Sequence, residues 1–207
     1  MLTIYGRTNS INVRKVLWAA AEMDLAYERL DYGRGFTPTD TPEFLAVSRF
    51  GVVPVIDDGG FVLRESNTIV RYLATRHGRD DLYPSEIHRR FTVEAWMDWA
   101  STDLGGAVRD VFWGVQLKHP DFTDPARIAL GAANWGKQMR RLDHHLATAG
   151  PYLMGSTFTI ADIPVGLAVN RWFATPFEKP DLAAVQAYYD RLAERPGYKQ
   201  HGRNGTP

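Results

Sequence analysis

Residues 51 to 73 read Gly51-Val-Val-Pro-Val-Ile-Asp-Asp-Gly-Gly-Phe-Val-Leu-Arg-Glu-Ser-Asn-Thr-Ile-Val-Arg-Tyr-Leu73, which spells strand, turn, strand and helix in one run. Val52 to Ile56 and Phe61 to Leu63 are short β-branched or aromatic stretches. Asp57-Asp58-Gly59-Gly60 between them supplies residues that tolerate positive φ, so the two stretches are predicted to pair as an antiparallel hairpin. Proline lacks a ladder donor, which puts Pro54 at a strand start or bulge, with a cis Val53-Pro54 bond and the Val53 backbone facing outward, unpaired. Glu65 and Ser66 then precede the helical pattern of Ile69, Val70 and Leu73, with Ser66 as the expected N-cap. Taken alone, this pair reads as a capped surface helix. Its surroundings turn it toward a grip for an amino-acid head group, with the carboxylate on the helix start and the ammonium on Glu65.

Upstream, Leu2 to Tyr5 reads as a strand and Gly6-Arg7-Thr8-Asn9-Ser10 as a polar loop. Val13, Val16, Leu17 and Ala20 follow at i, i+3, i+4 and i+7, one buried helical stripe that either Ser10 or Asn12 caps. Leu25 to Asp31 supplies a second strand and completes a β-α-β unit. Tyr32 to Pro42 is an irregular loop bordering a cleft, and Pro42 opens a short helix through Val47. The order β-α-β-α-β-β-α is that of a thioredoxin-like fold, so residues 1–78 are assigned to an α/β domain, with Arg79 to Ser85 as a polar connector.

Downstream, 86–207 reads as an all-α domain. Ile87 to Lys118 carries Phe91, Ala95, Trp96, Trp99 and Thr102 near one face, with a bend allowed at Gly105-Gly106. Trp96 and Trp99 read as core or subunit-contact residues, Asp98 and Asp103 as exposed charges. Ala126 to Ala149 carries an apolar stripe through Ile128, Trp135, Met139, Leu142 and Leu146, antiparallel to the first long segment. Thr159 with Asp162 forms a capping box, Phe158 staples onto Ile163, and Pro164 bends the helix slightly. Asp181 caps a last helix that stops before Pro196, and residues 201–207 are expected to fray.

The chain has 207 residues, with 24 basic and 24 acidic side chains and no basic block, which argues against nucleic acid and anionic membrane as partners and for a small neutral or zwitterionic ligand. It has no cysteine, which excludes disulfides, a cysteine zinc site and protein-borne thiol chemistry. Any sulfur nucleophile must therefore arrive with a substrate. With no secretory leader and no membrane-length apolar run, the expectation is a soluble cytoplasmic protein without a metal.

Three pieces of sequence together resemble the glutathione S-transferase family, in particular its bacterial serine-type members, over nearly the whole chain. They are residues 5–16 from Tyr5 to Val16, Val-Val-Pro-Val followed by Glu65-Ser66-Asn67-Thr68-Ile69, and Phe-Thr-Ile-Ala-Asp-Ile at 158–163. The resemblance implies a detoxifying transferase that joins glutathione to a small electrophile, working as a homodimer. It makes Ser10 the hydroxyl that donates to the glutathione sulfur, with Tyr5 as the rival. Asn12 orients the sulfur or merely caps; Val53, beside Pro54, offers its backbone to the cysteinyl unit; and Glu65 and Ser66 hold the γ-glutamyl end. Arg14 becomes a structural charge beneath the site or a solvated one. Arg109, Phe112 and Trp113 line the electrophile pocket, with Phe36 on the opposite lip; ordinary packing is the alternative for the two aromatic residues. Arg109 would suit an anionic substrate. The family's Asn-Pro-x-Gly-Lys run is replaced by Val47-Ser48-Arg49-Phe50-Gly51-Val52, so Arg49 or the Arg34 to Thr41 loop must meet the glycyl carboxylate. A dehalogenase or isomerase using the same thiol site, and a non-catalytic binding module, are the alternatives.

Overall fold

The computed structural model describes residues 1–207, and its elements alternate as the sequence predicts. Strand β1 (Leu2–Tyr5), helix α1 (Ile11–Glu22), strand β2 (Tyr27–Leu30), helix α2 (Pro42–Val47), strands β3 (Val55–Asp58) and β4 (Phe61–Arg64), and helix α3 (Ser66–Arg76) make up the thioredoxin-like half. The sheet order is β2-β1-β3-β4, with β1 parallel to β2 and antiparallel to β3. The β3–β4 turn is tighter than expected. Asp57 and Asp58 stay in the ladder, and Gly59 and Gly60 alone turn the chain, both at positive φ. Val53-Pro54 is cis and lies just before β3, and neither backbone polar group of Val53 makes a backbone hydrogen bond.

Helix α1 is buried almost all round. The predicted stripe of Val13, Val16, Leu17 and Ala20 is buried, and so are Arg14, Trp18 and Ala19 on the other side. A helix buried on nearly every side sits between two layers. Here those are the sheet half and the helical half, since α1 packs on α3, on α7 (Asp162–Ala174) and on α9 (Pro196–His201). Trp18 is closed off by two glycines. A Cβ at Gly166 of α7 would lie 3.0 Å from the indole and 2.6 Å from Leu192, and one at Gly197 of α9 would lie 2.7 Å from the indole.

The helical half consists of α4 (Ile87–Ser101), α5 (Asp103–Val111) extended by a π-turn over Phe112–Gln116, α6 (Pro125–Ala149), α7, α8 (Ala183–Leu192) and α9. The long segment breaks at Thr102, not at the glycine pair. The buried face of α4 is Val93 and Met97, whereas Phe91 and Ala95 are exposed and Trp96 and Trp99 half-buried; the buried positions fall two residues on from Phe91 and Ala95, on nearly the opposite side of the helix from the face the sequence predicts. The α6 stripe from Trp135 to Leu146 is buried, with Ile128 half-buried.

Two expected caps are made differently. Helix α3 starts one residue early, so Ser66 is its first helical residue and Glu65, at φ 71°, takes the cap position. Asp181 does not cap α8. Asp143, on α6, accepts from the Ala184 and Val185 amides at 2.9 and 3.0 Å, a cap supplied from another helix. Asp162 accepts from Thr159 N–H at 2.8 Å as its capping box requires, and also from Leu153 N–H and the Tyr188 hydroxyl. Burial still lifts its carboxyl to about 6.

The C-terminal residues are docked, not frayed. The buried Arg14 guanidinium donates to the carbonyls of His201, Gly202 and Pro207, and Asn170 donates to Thr206 C=O at 2.8 Å. The connector is also buried in part: Leu82, Tyr83 and Pro84 are inside, and Leu82 C=O accepts from Ile160 N–H at 3.0 Å. No helix of the chain is long and apolar enough to cross a membrane.

Because the indole has no room to withdraw, Gly166→Ala is expected to cost about 1–3 kcal/mol of unfolding free energy, the usual range for overpacking. Urea titration checks this; a change below experimental error would mean that Trp18 is not a fixed wedge.

Candidate active site

Two cavities of about 450 Å³ each open side by side between the halves, and they share Ile11 and Arg171 as wall residues. The first lies against the α3 start and is lined by Asn12, Lys15, Glu65, Ser66 and Asn67, with Asp98 and Ser101 from α4 across the gap. The second lies against the α1 start and is lined by Arg7, Ser10, Arg34, Phe112 and Trp113, with Thr206 and Pro207 from the docked C-terminal segment. Both helix starts thus open into one divided cleft.

Ser10 stands at the N-cap of α1 with extended backbone, and its side chain makes no capping bond. Its carbonyl accepts the first helical bond from Arg14 N–H at 2.9 Å. The hydroxyl is therefore free for a ligand, beside the unfilled amides of the helix start. Gly6 permits the close turn from β1, since a Cβ there would come within 2.4 Å of Val13. Tyr5, the rival, lines neither cavity. Its ring packs on Tyr32 and Phe44, and burial raises its pKa.

At the other helix start, Glu65 is held at positive φ, a conformation that typically costs a residue with a side chain about 1–3 kcal/mol and is a recurrent mark of functional sites. Its carboxylate pairs with Arg64 at 2.7 Å. The Lys15 ammonium donates to Ser66 Oγ, and that hydroxyl donates to Asn12 Oδ1, both at 3.4 Å. Asn12 thus faces the α3 side. Asn67 donates to Met97 C=O and Ser101 Oγ, leaving its own Oδ1 buried without a partner. Asp98, read from sequence as a plain surface charge, pairs with Arg71 at 2.7 Å on the rim of this cavity. The α3 compartment combines acceptors for an ammonium with donors for a carboxylate.

The other sequence candidates divide. Phe112 and Trp113 do line the Ser10 compartment, on the π-turn that follows α5. Phe36, Arg109, Val53 and Pro54 line neither cavity: Phe36 is exposed, and the Arg109 guanidinium lies over Phe122, 5.4 Å from the ring centre. Arg49 is exposed and outside both. Arg14 sits beneath the site, bonded to the C-terminal carbonyls.

Sequence reasoning missed the cations. Lys15, half-buried, has its pKa drawn from 10.5 to about 8 by burial and by Arg171, against the pull of Glu65. Arg171 is drawn to about 9 by burial and by Arg14. No carboxylate forms an ion pair with either; the residues sit in helical patterns where spacing gives no sign of a shared cavity.

The family model for the glutathione S-transferase N-terminal domain matches residues 1–75. Glutathione S-transferase GstB of Escherichia coli K12 is 34% identical over 202 residues, covering 97% of each chain. A theta-class glutathione S-transferase of Xanthomonas axonopodis pv. citri, solved with glutathione bound, superposes with a TM-score of 0.89 at 44% identity, over 97% of this chain and 96% of that one. A probable elongation factor 1-gamma 2 of Arabidopsis thaliana is 29% identical over 177 residues, 84% of this chain and 42% of its own.

Lys15 gives a pH signature. Between about 8 and 10.5 the unfolded chain keeps a proton that the folded chain has lost, so stability rises with pH across that window. Lys15→Met should flatten this rise and stabilise the ligand-free protein at pH 7, as read by urea titration from pH 7 to 10.5. An unchanged slope would show that Lys15 titrates normally. With the fold, the N-terminal domain model and these relatives agreeing, the chain belongs to the glutathione S-transferase family.

Proposed function

We propose that the protein is a glutathione transferase: it binds glutathione across the divided cleft, keeps its sulfur ionised at Ser10 and delivers the thiolate to a small electrophile. The observation that carries this reading is the free Ser10 hydroxyl at the start of α1, in a cavity contiguous with the Glu65-Ser66 turn. The γ-glutamyl carboxylate meets Ser66, the α3 amides and Lys15, and its ammonium meets Glu65 with Asp98. The unpaired backbone groups of Val53, before cis Pro54, take the cysteinyl unit as an added strand. Arg34, on the loop after β2, takes the glycyl carboxylate.

The energetics suffice. A thiol titrates near 8.5, and lowering it by two units needs roughly 2.7 kcal/mol of thiolate stabilisation. A hydrogen bond to a charged acceptor contributes about 1.5–3 kcal/mol, and a helix N-terminus about 0.3–1 kcal/mol. The thiolate attacks the electrophile's carbon while the cleft supplies proximity; the protein forms no covalent bond.

We assign residues 1–78 and 86–207 as the two domains and place the protein in the cytoplasm, as a homodimer serving detoxification. The dimer is supported by exposed apolar side chains on β4 (Phe61, 50% exposed, and Val62) and α4 (Ile87 and Phe91, 60% each). A dehalogenase using the same thiolate differs only in the electrophile's leaving group, and the reading accommodates it. The free hydroxyl and strained turn count against a purely non-catalytic module.

Ser10→Ala is expected to raise the pKa of bound glutathione by about one to two units with a near-constant Kd, read from the ultraviolet absorbance of the thiolate against pH. Tyr5→Phe should do neither. Glu65→Ala and Ser66→Ala should each weaken glutathione binding by about 10-fold, measured by calorimetry. If Tyr5→Phe shifts the thiol and Ser10→Ala does not, the assignment of the donor is wrong.

A further inference from the structure

The Ser10 compartment carries more positive charge than glutathione accounts for. Its walls hold Arg7, Arg34 and Arg171 and no aspartate or glutamate. Arg7 donates to Asn9 Oδ1 at 2.6 Å, but its Nε is buried without a partner. Arg171 has a buried, unpartnered Nε as well, and its charged neighbour is another cation, Arg14. Both guanidiniums therefore keep donors in hand. In the assignment above, Lys15 and the α3 start meet one glutathione carboxylate, Arg34 meets the other and Ser10 meets the thiolate, which leaves Arg7 and Arg171 unanswered.

Apolar surface lies alongside. The Arg171 guanidinium stacks 3.7 Å from the centre of the Phe112 ring, and Arg34 lies 5.1 Å from the centre of Trp113. Stacking holds the guanidinium planes in place, so that their edges remain for a planar acceptor. A carboxylate is the small group that matches such an edge, and the aromatic side chains suit a flat body joined to it.

We propose that Arg171, assisted by Arg7, binds a carboxylate carried by the electrophile, so that the preferred second substrate is a small, flat, anionic electrophile. This deepens the transferase reading and rests on it. It also moves the anion-binding role from Arg109, which lines neither cavity, to α7. With an aryl chloride, the thiol proton goes to solvent and the sulfur lone pair forms the S–C bond. The ring holds the added charge, and chloride then leaves with the C–Cl electron pair. No redox partner is required.

The test uses two aryl chlorides that differ in charge, 4-chloro-3,5-dinitrobenzoate and its methyl ester, with glutathione and the full chain. Each kcat/KM is divided by the uncatalysed rate of the same compound. The unaltered protein should favour the acid by at least ~10-fold. Arg171→Met should bring the ratio close to one, and Arg171→Lys should restore part of it. Methionine matches the stem and can lie on Phe112, so the fold should tolerate it; thermal unfolding checks this. S-methylglutathione binding, by calorimetry, reads the tripeptide side separately. A ratio near one in the unaltered protein, or an unchanged ratio in Arg171→Met, overturns the proposal while leaving the transferase reading intact. So does a rise in the S-methylglutathione Kd as large as the loss on the acid, since the guanidinium would then belong to the tripeptide. If S-methylglutathione does not bind the unaltered protein, the transferase reading falls and takes the proposal with it.

Discussion

Trp18 is wedged between the sheet half and the helical half, and two glycines, Gly166 and Gly197, make room for it. Its indole also packs on Phe158, before the α7 start, and on Tyr198 of α9, and its N–H donates to Glu22 at 2.7 Å. One turn earlier, Arg14 is bonded to the carbonyls of His201 and Gly202 at the end of α9. Helix α1 is thus fixed on both sides, and its N-terminus, with Ser10, is set relative to everything else. Burying an aromatic ring of this size stabilises on the order of 3–5 kcal/mol, judged by what its removal typically costs. That is a sizeable part of an ordinary domain's net stability.

The cleft follows from that fixation. The two helix starts that open into it, α1 and α3, belong to the sheet half and pack directly on each other. The opposite wall comes from α4, α5 and α7. Arg171 lies on α7 beyond Gly166, which is how a residue distant in sequence reaches both compartments. The site is assembled from strain as well as packing. Glu65 at positive φ, Lys15 and Arg171 lacking carboxylate partners, and the Asn67 oxygen without a donor are each unfavourable alone. The zwitterionic ligand proposed above, with its further negative charge, would relieve them together.

Much of this was legible in the sequence where neighbours along the chain decide the outcome. Alternation and turn residues set the β3–β4 hairpin, the proline set the strand start, and the 3.6-residue period set the inner stripe of α1. Two of the family's motifs pointed to Ser10, Val53, Glu65 and Ser66 as candidates, because each occupies a fixed step from a helix start or a strand end. These features are local, so spacing carries them.

What the sequence left open depends on residues that meet only after folding. The cap of α8 comes from Asp143 on another helix, the last seven residues are held by Arg14 and Asn170, and α4 turns Val93 and Met97 inward in place of Phe91. Arg109 and Arg171 look alike as charged positions on amphipathic helices; packing alone sends one over Phe122 and the other into the cleft. The sequence by itself determined the order of elements, the two helix starts and the absence of a protein thiol. Tertiary structure decided which cations are buried without partners, since burial and charge pairing are set by distances across the fold that no spacing along the chain records.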